Sequence, residues 1–227
     1  MTATNLLKPM IFRFILLPLA TLALAAPLSF GQESESPDLA SKVLTAAGGK
    51  DKLFTQYRLT ELLKVTRDQE KLFQPFDENR RPRISYIRAP HLWWLNKKGE
   101  WTERGKEPAK WLAYGWTLAV LNDPEAKIQP LADLVDPETK MEMVGLRVTG
   151  PVEPAMDLYF DHKTMLLVRM DWDDEICRFS KPEQFDGFRL PTRCVGYRRK
   201  SGEPWYVSEI KNVERLTKIP EEVDTSE

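Results

Sequence analysis

From Met141 to Leu216 the chain alternates apolar and polar residues with period two, and turn residues separate each run from the next. Val144, Leu146 and Val148 share one face of the first run. Met156, Leu158 and Phe160 share a face of the second, and after Asp161-His162-Lys163-Thr164 the return carries Leu166, Val168, Met170 and Trp172. Period two puts alternate side chains on opposite faces of a strand, so two such runs joined by a short turn read as a hairpin. Ile176 to Ser180 and Leu190 to Tyr197 enclose Asp186-Gly187 in the same way, and Lys200-Ser201-Gly202 leads into Trp205 to Leu216. Consecutive hairpins with no helix between them form an antiparallel meander.

The first half is mixed. Ser36, Pro37 and Asp38 are start signals for a helix whose apolar face is Leu39, Val43 and Ala46 and whose stop is Gly48-Gly49. Tyr57, Leu59, Leu63 and Val65 alternate with polar residues as a strand; Arg83 to Ala89 is a second; His91 to Asn96 and Glu100 to Arg104 flank Lys97-Lys98-Gly99 as a hairpin. Ala109 to Leu121 contains Trp111, Leu112, Tyr114, Trp116, Leu118, Val120 and Leu121 with Lys110 its only charge, and Asp123-Pro124 ends it. Its length and lack of alternation predict a helix, and a helix apolar all round must be buried on more than one side. A second short helix is expected over Ile128 to Val135. Some eight or nine strands with a few helices make an α+β, sheet-dominated domain.

Lys8 and Arg13, the apolar run Ile15 to Leu24 and the small residues Ala23, Ala25 and Ala26 follow the order of a secretory signal peptide over 1–31, cleaved after Ala25, Ala26 or Gly31. Pro18 breaks the run, which falls short of the roughly 20 residues a spanning helix needs. No cysteine near these points offers a lipid anchor, so a soluble product in the periplasm or outside the cell is expected. A polar leader (32–36), one domain (37–219) and a flexible acidic tail (220–227) would follow; about 195 residues without a Pro/Ser/Gly-rich linker suit one domain. Loss of the leader takes the formal charge from -1 to -3. Interspersed charges of that balance give no footprint for nucleic acid, and the clusters Arg80, Arg81, Arg83 and Arg198, Arg199, Lys200 sit beside turn residues as solvated loops.

Sequence marks of hydrolases, zinc enzymes and nucleotide binders are missing, and no cofactor is expected. Asp171, Asp173, Asp174 and Glu175 crowd a strand end and read as a solvated turn. His91 and His162 stand at no ligand spacing from the cysteines. Cys177 and Cys194 lie on the two arms around Asp186-Gly187, with their midpoint between Phe185 and Asp186. Symmetric pairing would set them face to face, within disulfide reach in an oxidising compartment; two buried thiols are the other reading. Three charges interrupt apolar faces: Glu61 between Leu59 and Leu63, Arg88 in line with Ile84 and Tyr86, and Arg169 in line with Leu167. Buried charges need partners, which suggests a Glu61–Arg88 pair, and an arginine on a cavity wall could hold a ligand's anionic head; the other reading is that these strands turn their opposite face inward or that the arginines snorkel outward. On a strand the adjacent Trp93 and Trp94 point to opposite sides, so one of them faces a ligand, the apolar helix or a partner.

The phrases Leu158-Tyr159-Phe160-Asp161 through Thr164 to Arg169, and Phe185-Asp186-Gly187-Phe188-Arg189-Leu190-Pro191-Thr192-Arg193, resemble hairpins of the lipoprotein-localisation factor superfamily, the LolA-like outer-membrane lipoprotein-sorting proteins. The resemblance implies an unclosed β-barrel, a strongly curved antiparallel sheet with helices plugging its concave face, and a non-enzymatic carrier of a lipid or acylated protein in the periplasm, with transient membrane contact. Trp111 to Leu121 matches the place of the plug. The expected ligand-binding residues are then Trp93, Trp111, Tyr114, Trp116, Leu118 and Leu121, with Arg88 and Arg169 for a polar head. The rival expectation is a filled core that docks envelope proteins through an edge or exposed aromatics.

Overall fold

The computed structural model describes residues 36–97, 99–103 and 109–223. The segment expected to be a signal peptide, most of the expected polar leader, Arg104 and residues 224–227 lie outside them. In chain order the elements are α1 (Ser36–Ala47), β1 (Tyr57–Val65), α2 (Gln69–Phe73), β2 (Arg83–Arg88), β3 (Leu92–Lys97), β4 (Glu100–Glu103), α3 (Ala109–Trp116), β5 (Lys127–Val135), β6 (Glu142–Thr149), β7 (Met156–Asp161), β8 (Leu167–Trp172), β9 (Glu175–Phe185), β10 (Phe188–Arg198) and β11 (Pro204–Arg215). The period-two runs become neighbouring strands of one sheet, ordered β4-β3-β2-β1-β11-β10-β9-β8-β7-β6-β5. Every ladder is antiparallel. The last strand returns to pair with the first, joining the two halves of the sheet. No ladder joins β4 to β5 among the described residues, so both edges stay open.

The sheet curls. Trp116 of α3 has its ring 6.2 Å from that of Tyr57 on β1. A Cβ on the preceding Gly115 would fall on the sulfurs of Met156 on β7 and Met170 on β8. β1 and β7 are five ladder steps apart, about 24 Å across a flat sheet, and only a strongly curved one brings both to adjacent residues of a single helix. Ala40, Val43, Leu44 and Ala47 of α1 and Ala113, Tyr114 and Trp116 of α3 join the inward faces of the strands in one core. The fold class read from the sequence, an unclosed curved antiparallel sheet with helices against its concave face, is the one observed. No helix among the described residues is long and apolar enough to cross a membrane.

Several elements differ from the sequence reading. Among the described residues there are eleven strands, not eight or nine. The helix expected over Ile128 to Val135 is the edge strand β5: Ile128, Leu131 and Leu134 recur at a helix-like spacing of three because the register against β6 shifts between Leu131 and Leu134, and Pro130 is compatible with an edge. The apolar helix is shorter than expected. α3 stops at Trp116, Leu118 takes a left-handed φ of 59°, and a 3-10 turn covers Ala119–Asn122. α2, which the sequence reading does not contain, is capped by the Asp68 side chain, which accepts from the Lys71 backbone N–H at 3.1 Å.

The outer face of β2–β4 is covered too. Trp94, Ile219 and Val223 form a second buried cluster with Tyr86, Leu92, Trp101 and Leu216 packed against it. Trp93 therefore belongs to the main core and Trp94 to the one outside. The segment after β11 is Trp94's cover, and the packed chain runs to a fully buried Val223 rather than ending at 219.

Candidate functional site: a cavity under helix α3

Between α3 and the concave face lies a cavity of about 440 Å³ that is partly open to solvent. That volume is within the size range of ligand pockets. Its apolar wall includes Leu59 and Leu63 of β1, Leu112 and Trp116 of α3, Phe179 of β9 and Ile210 of β11. Trp116 is fixed by donating from Nε1 to the Pro191 carbonyl at 3.0 Å.

Polar groups enter at three places. On β1, Glu61 stands directly opposite Arg83 of β2. Its Oε1 accepts from Arg83 Nη2 at 2.6 Å and Nε at 3.1 Å, and its Oε2 accepts from Ser208 Oγ at 2.7 Å. This ion pair is complete within the protein. The second group is Cys177, Cys194 and Tyr206, whose hydroxyl lies 3.2 Å from one sulfur and 3.5 Å from the other. Cys194 beside it and burial push the Cys177 thiol well up, and burial with the two thiols does the same to Tyr206. At the third place Glu175, Arg198 and Trp205 gather where β9 begins, β10 ends and β11 begins. Trp205 sits where the β10–β11 register shifts, between the partners of Gly196 and Tyr197, and such a bulge re-aims a side chain. It lines the cavity together with its neighbour Tyr206.

The expected face-to-face cysteines are corrected. Asp186 and Gly187 have φ of 45° and 80°, the two left-handed residues of a type I′ turn. Phe185 pairs with Phe188, Cys177 with Gly196 and Cys194 with Phe179. The ladder is symmetric about the Asp186–Gly187 bond, one residue beyond the midpoint of the cysteines, so the two are diagonal neighbours. Both are free thiols. Under denaturing conditions a thiol titration of the mature protein is expected to find two reactive groups. In the native protein Cys177, buried and held protonated, should react far more slowly than Cys194. A denatured protein without titratable thiols would overturn this.

Of the residues expected from sequence, Trp93 and Trp116 reach the cavity wall. Trp111 packs instead against the Trp172 ring at 6.4 Å, and Tyr114 donates its hydroxyl to Asp123 Oδ2 at 2.5 Å. Leu118 and Leu121 are buried in the core beyond the cavity. Arg88 is exposed, because β2 turns Ser85 and Ile87 inward and Tyr86 outward; the partner of Glu61 is Arg83. Arg169 forms a two-point pair with Asp171, 2.7 Å for each bond, and stacks near Tyr159, on the face opposite Met170.

Glu175 is the residue that sequence reading set aside as part of a solvated turn. Its side chain is 12% exposed, and its Oε2 is buried with no hydrogen-bond partner. Burial raises its pKa, Asp173 and Asp174 add to the rise, and Arg198 opposes it. The folded protein holds this proton more tightly than the unfolded chain, so stability at this group is greatest in acid and is lost as pH climbs through the folded-state pKa. Glu175→Gln is accordingly expected to raise the thermal midpoint at pH 7 by about 2–4 °C, with the gain closing as pH falls into the ordinary carboxylate range. A gain that persists in acid would assign the effect to something other than charge.

No protein-family model matches the sequence, and none of the curated proteins does. Solved structures do. The chain is similar to LolA-superfamily structures. A LolA superfamily protein from Nitrosomonas europaea aligns with 82% of this chain and 95% of its own at 9% identity and a TM-score of 0.45. A domain described as an outer membrane lipoprotein-sorting protein from Vibrio parahaemolyticus covers 82% and 94% at 10% identity and a TM-score of 0.48. A DUF1329 family protein from Desulfovibrio piger covers 82% and 95% at 10% identity and a TM-score of 0.47. At these values the likeness carries no reading of the cavity, whose chemistry rests on its own residues.

Proposed function

We propose that the chain is an exported, non-enzymatic periplasmic protein that carries a lipid or an acylated protein by sheltering an apolar chain between α3 and the curved sheet. The observation that supports this reading is the unfilled cavity of about 440 Å³ with a largely apolar wall. An acyl chain in water costs about 0.8 kcal/mol per CH₂, so a twelve-carbon stretch gains on the order of 10 kcal/mol from such shelter. The order of features in the N-terminal segment, charged, then apolar, then small, supports export.

Native mass spectrometry of the mature protein, purified from the periplasm without detergent and then solvent-extracted, tests the reading. A reproducible adduct of lipid mass is expected. A clean apo mass that stays apo when phospholipid and acyl-peptide are offered would overturn it in favour of a module that docks envelope proteins.

A further inference from the structure

The cavity holds two charged pairs that differ in completeness. Glu61, Arg83 and Ser208 satisfy one another. Glu175 and Arg198 do not. They are opposite each other across β9 and β10, but Arg198 Nη1 stays 3.7 Å from Glu175 Oε1, beyond hydrogen-bond length. Glu175 Oε2 and Trp205 Nε1 are both buried without a partner. The Arg198 guanidinium lies over the Trp205 ring at 3.9 Å, which binds the three side chains into one unit. Buried polar groups are nearly always satisfied, and each exception calls for an explanation. Here one orphan accepts, one donates, and both belong to residues lining the same cavity.

We infer that Glu175, Arg198 and Trp205 form a headgroup subsite for a zwitterionic lipid, a phospholipid whose head joins a phosphate to a primary ammonium. The inference rests on the cavity holding an apolar chain. The ammonium donates to the Glu175 carboxylate and the phosphate oxygens accept from the Arg198 guanidinium, and as the head enters the Glu175 and Trp205 side chains turn, so that the buried Oε2 and Nε1 meet the ammonium and the phosphate respectively. Asp173 and Asp174, which raise the Glu175 pKa, add negative potential on the side where the ammonium would lie. An anionic head without a cation leaves Glu175 unpaired against a like charge. A choline head brings a cation with no N–H to donate.

The experiment is a native mass-spectrometric competition in which the delipidated mature protein meets equimolar monopalmitoyl phosphatidylethanolamine, phosphatidylglycerol and phosphatidylcholine. All three carry the same chain and differ in mass. The ethanolamine lipid is expected to be bound at least tenfold over each of the others. Glu175→Gln and Trp205→Phe, each checked for an unchanged circular dichroism spectrum, should reduce that preference to under threefold while binding of the chain persists. Equal occupancy by the three lipids would overturn the headgroup inference and leave the cavity reading standing. A preference that survives both substitutions would overturn it as well, by placing selectivity elsewhere. No adduct with any of the three would remove the cavity reading itself.

Discussion

Arg83→Met is expected to destabilise the fold by about 3–5 kcal/mol, the cost of leaving a buried charge without its partner. Glu61 is 5% exposed, and two of its three hydrogen bonds come from Arg83. With the arginine gone, the carboxylate keeps only the Ser208 hydroxyl, in a wall whose next residues on the same face are Leu59 and Leu63. At about 2–4 °C per kcal/mol for a domain of this length, the thermal midpoint should fall by roughly 6–20 °C. Glu61→Leu alone should cost less, because Arg83 is 22% exposed and can turn its head toward water. The double variant Glu61→Leu/Arg83→Met should regain most of the loss, since apolar residues of similar volume often replace a buried pair at no cost. Denaturant unfolding of the four proteins at pH 7 measures the cycle. A single-variant loss below about 1 kcal/mol, the scale of an exposed pair, would show that water reaches Glu61.

The pair also shows where sequence reading succeeds and where it fails. Glu61 was identifiable as a buried charge because it interrupts an apolar face. Its partner was not, because β2 has no single apolar face. Ile87 is buried in the main core while Tyr86 packs under the C-terminal segment outside it, so both phases of the alternation look like core, and Arg88 belongs to the outward phase while Arg83 belongs to the inward one. A slip of one flips every side chain. The cysteines failed in the same way, through a turn centred one residue later than the symmetric guess. On β8 a register shift opposite Tyr159/Phe160 leaves Val168 unpaired, so Leu167 and Met170 face inward and Arg169 leaves the face it seemed to share with Leu167.

The long hairpins were legible because one face of each is buried and the turn residues are explicit, and with them came the antiparallel sheet. The apolar segment under the sheet was legible as well, because no polar face could be assigned to it. The cavity was not. A void is a deficit of packing among residues from β1, α3, β9, β10 and β11, and no local pattern records which of those side chains stop short of contact. Glu175 was hidden for a related reason. In the run Asp171 to Glu175, Asp171 pairs with Arg169 on the other face and only Glu175 lines the cavity, a distinction that period two alone could not draw at a strand end.

Leu63→Trp should abolish most ligand binding while leaving the fold intact. Leu63 lies on the cavity wall, opposite Ser208 in the β1–β11 ladder, and it is only half-buried, so a larger side chain can grow into unfilled space instead of into packed neighbours. Overpacking costs about 1–3 kcal/mol in a full core; with this much room the expected change in stability is within about 1 kcal/mol, and filling the void could make it favourable. If the indole excludes about four methylenes of the bound chain, at about 0.8 kcal/mol each, affinity falls by some 3 kcal/mol, or about 100-fold. Val135→Trp is the matched control: it adds an indole at an exposed position of the edge strand β5 and should leave affinity unchanged. Titration of both variants with a monoacyl lipid, alongside thermal unfolding, separates the outcomes. A 100-fold loss with a native midpoint places the chain under α3. An unchanged affinity in a stably folded Leu63→Trp would mean that the apolar ligand lies elsewhere on the sheet and that the cavity serves another purpose.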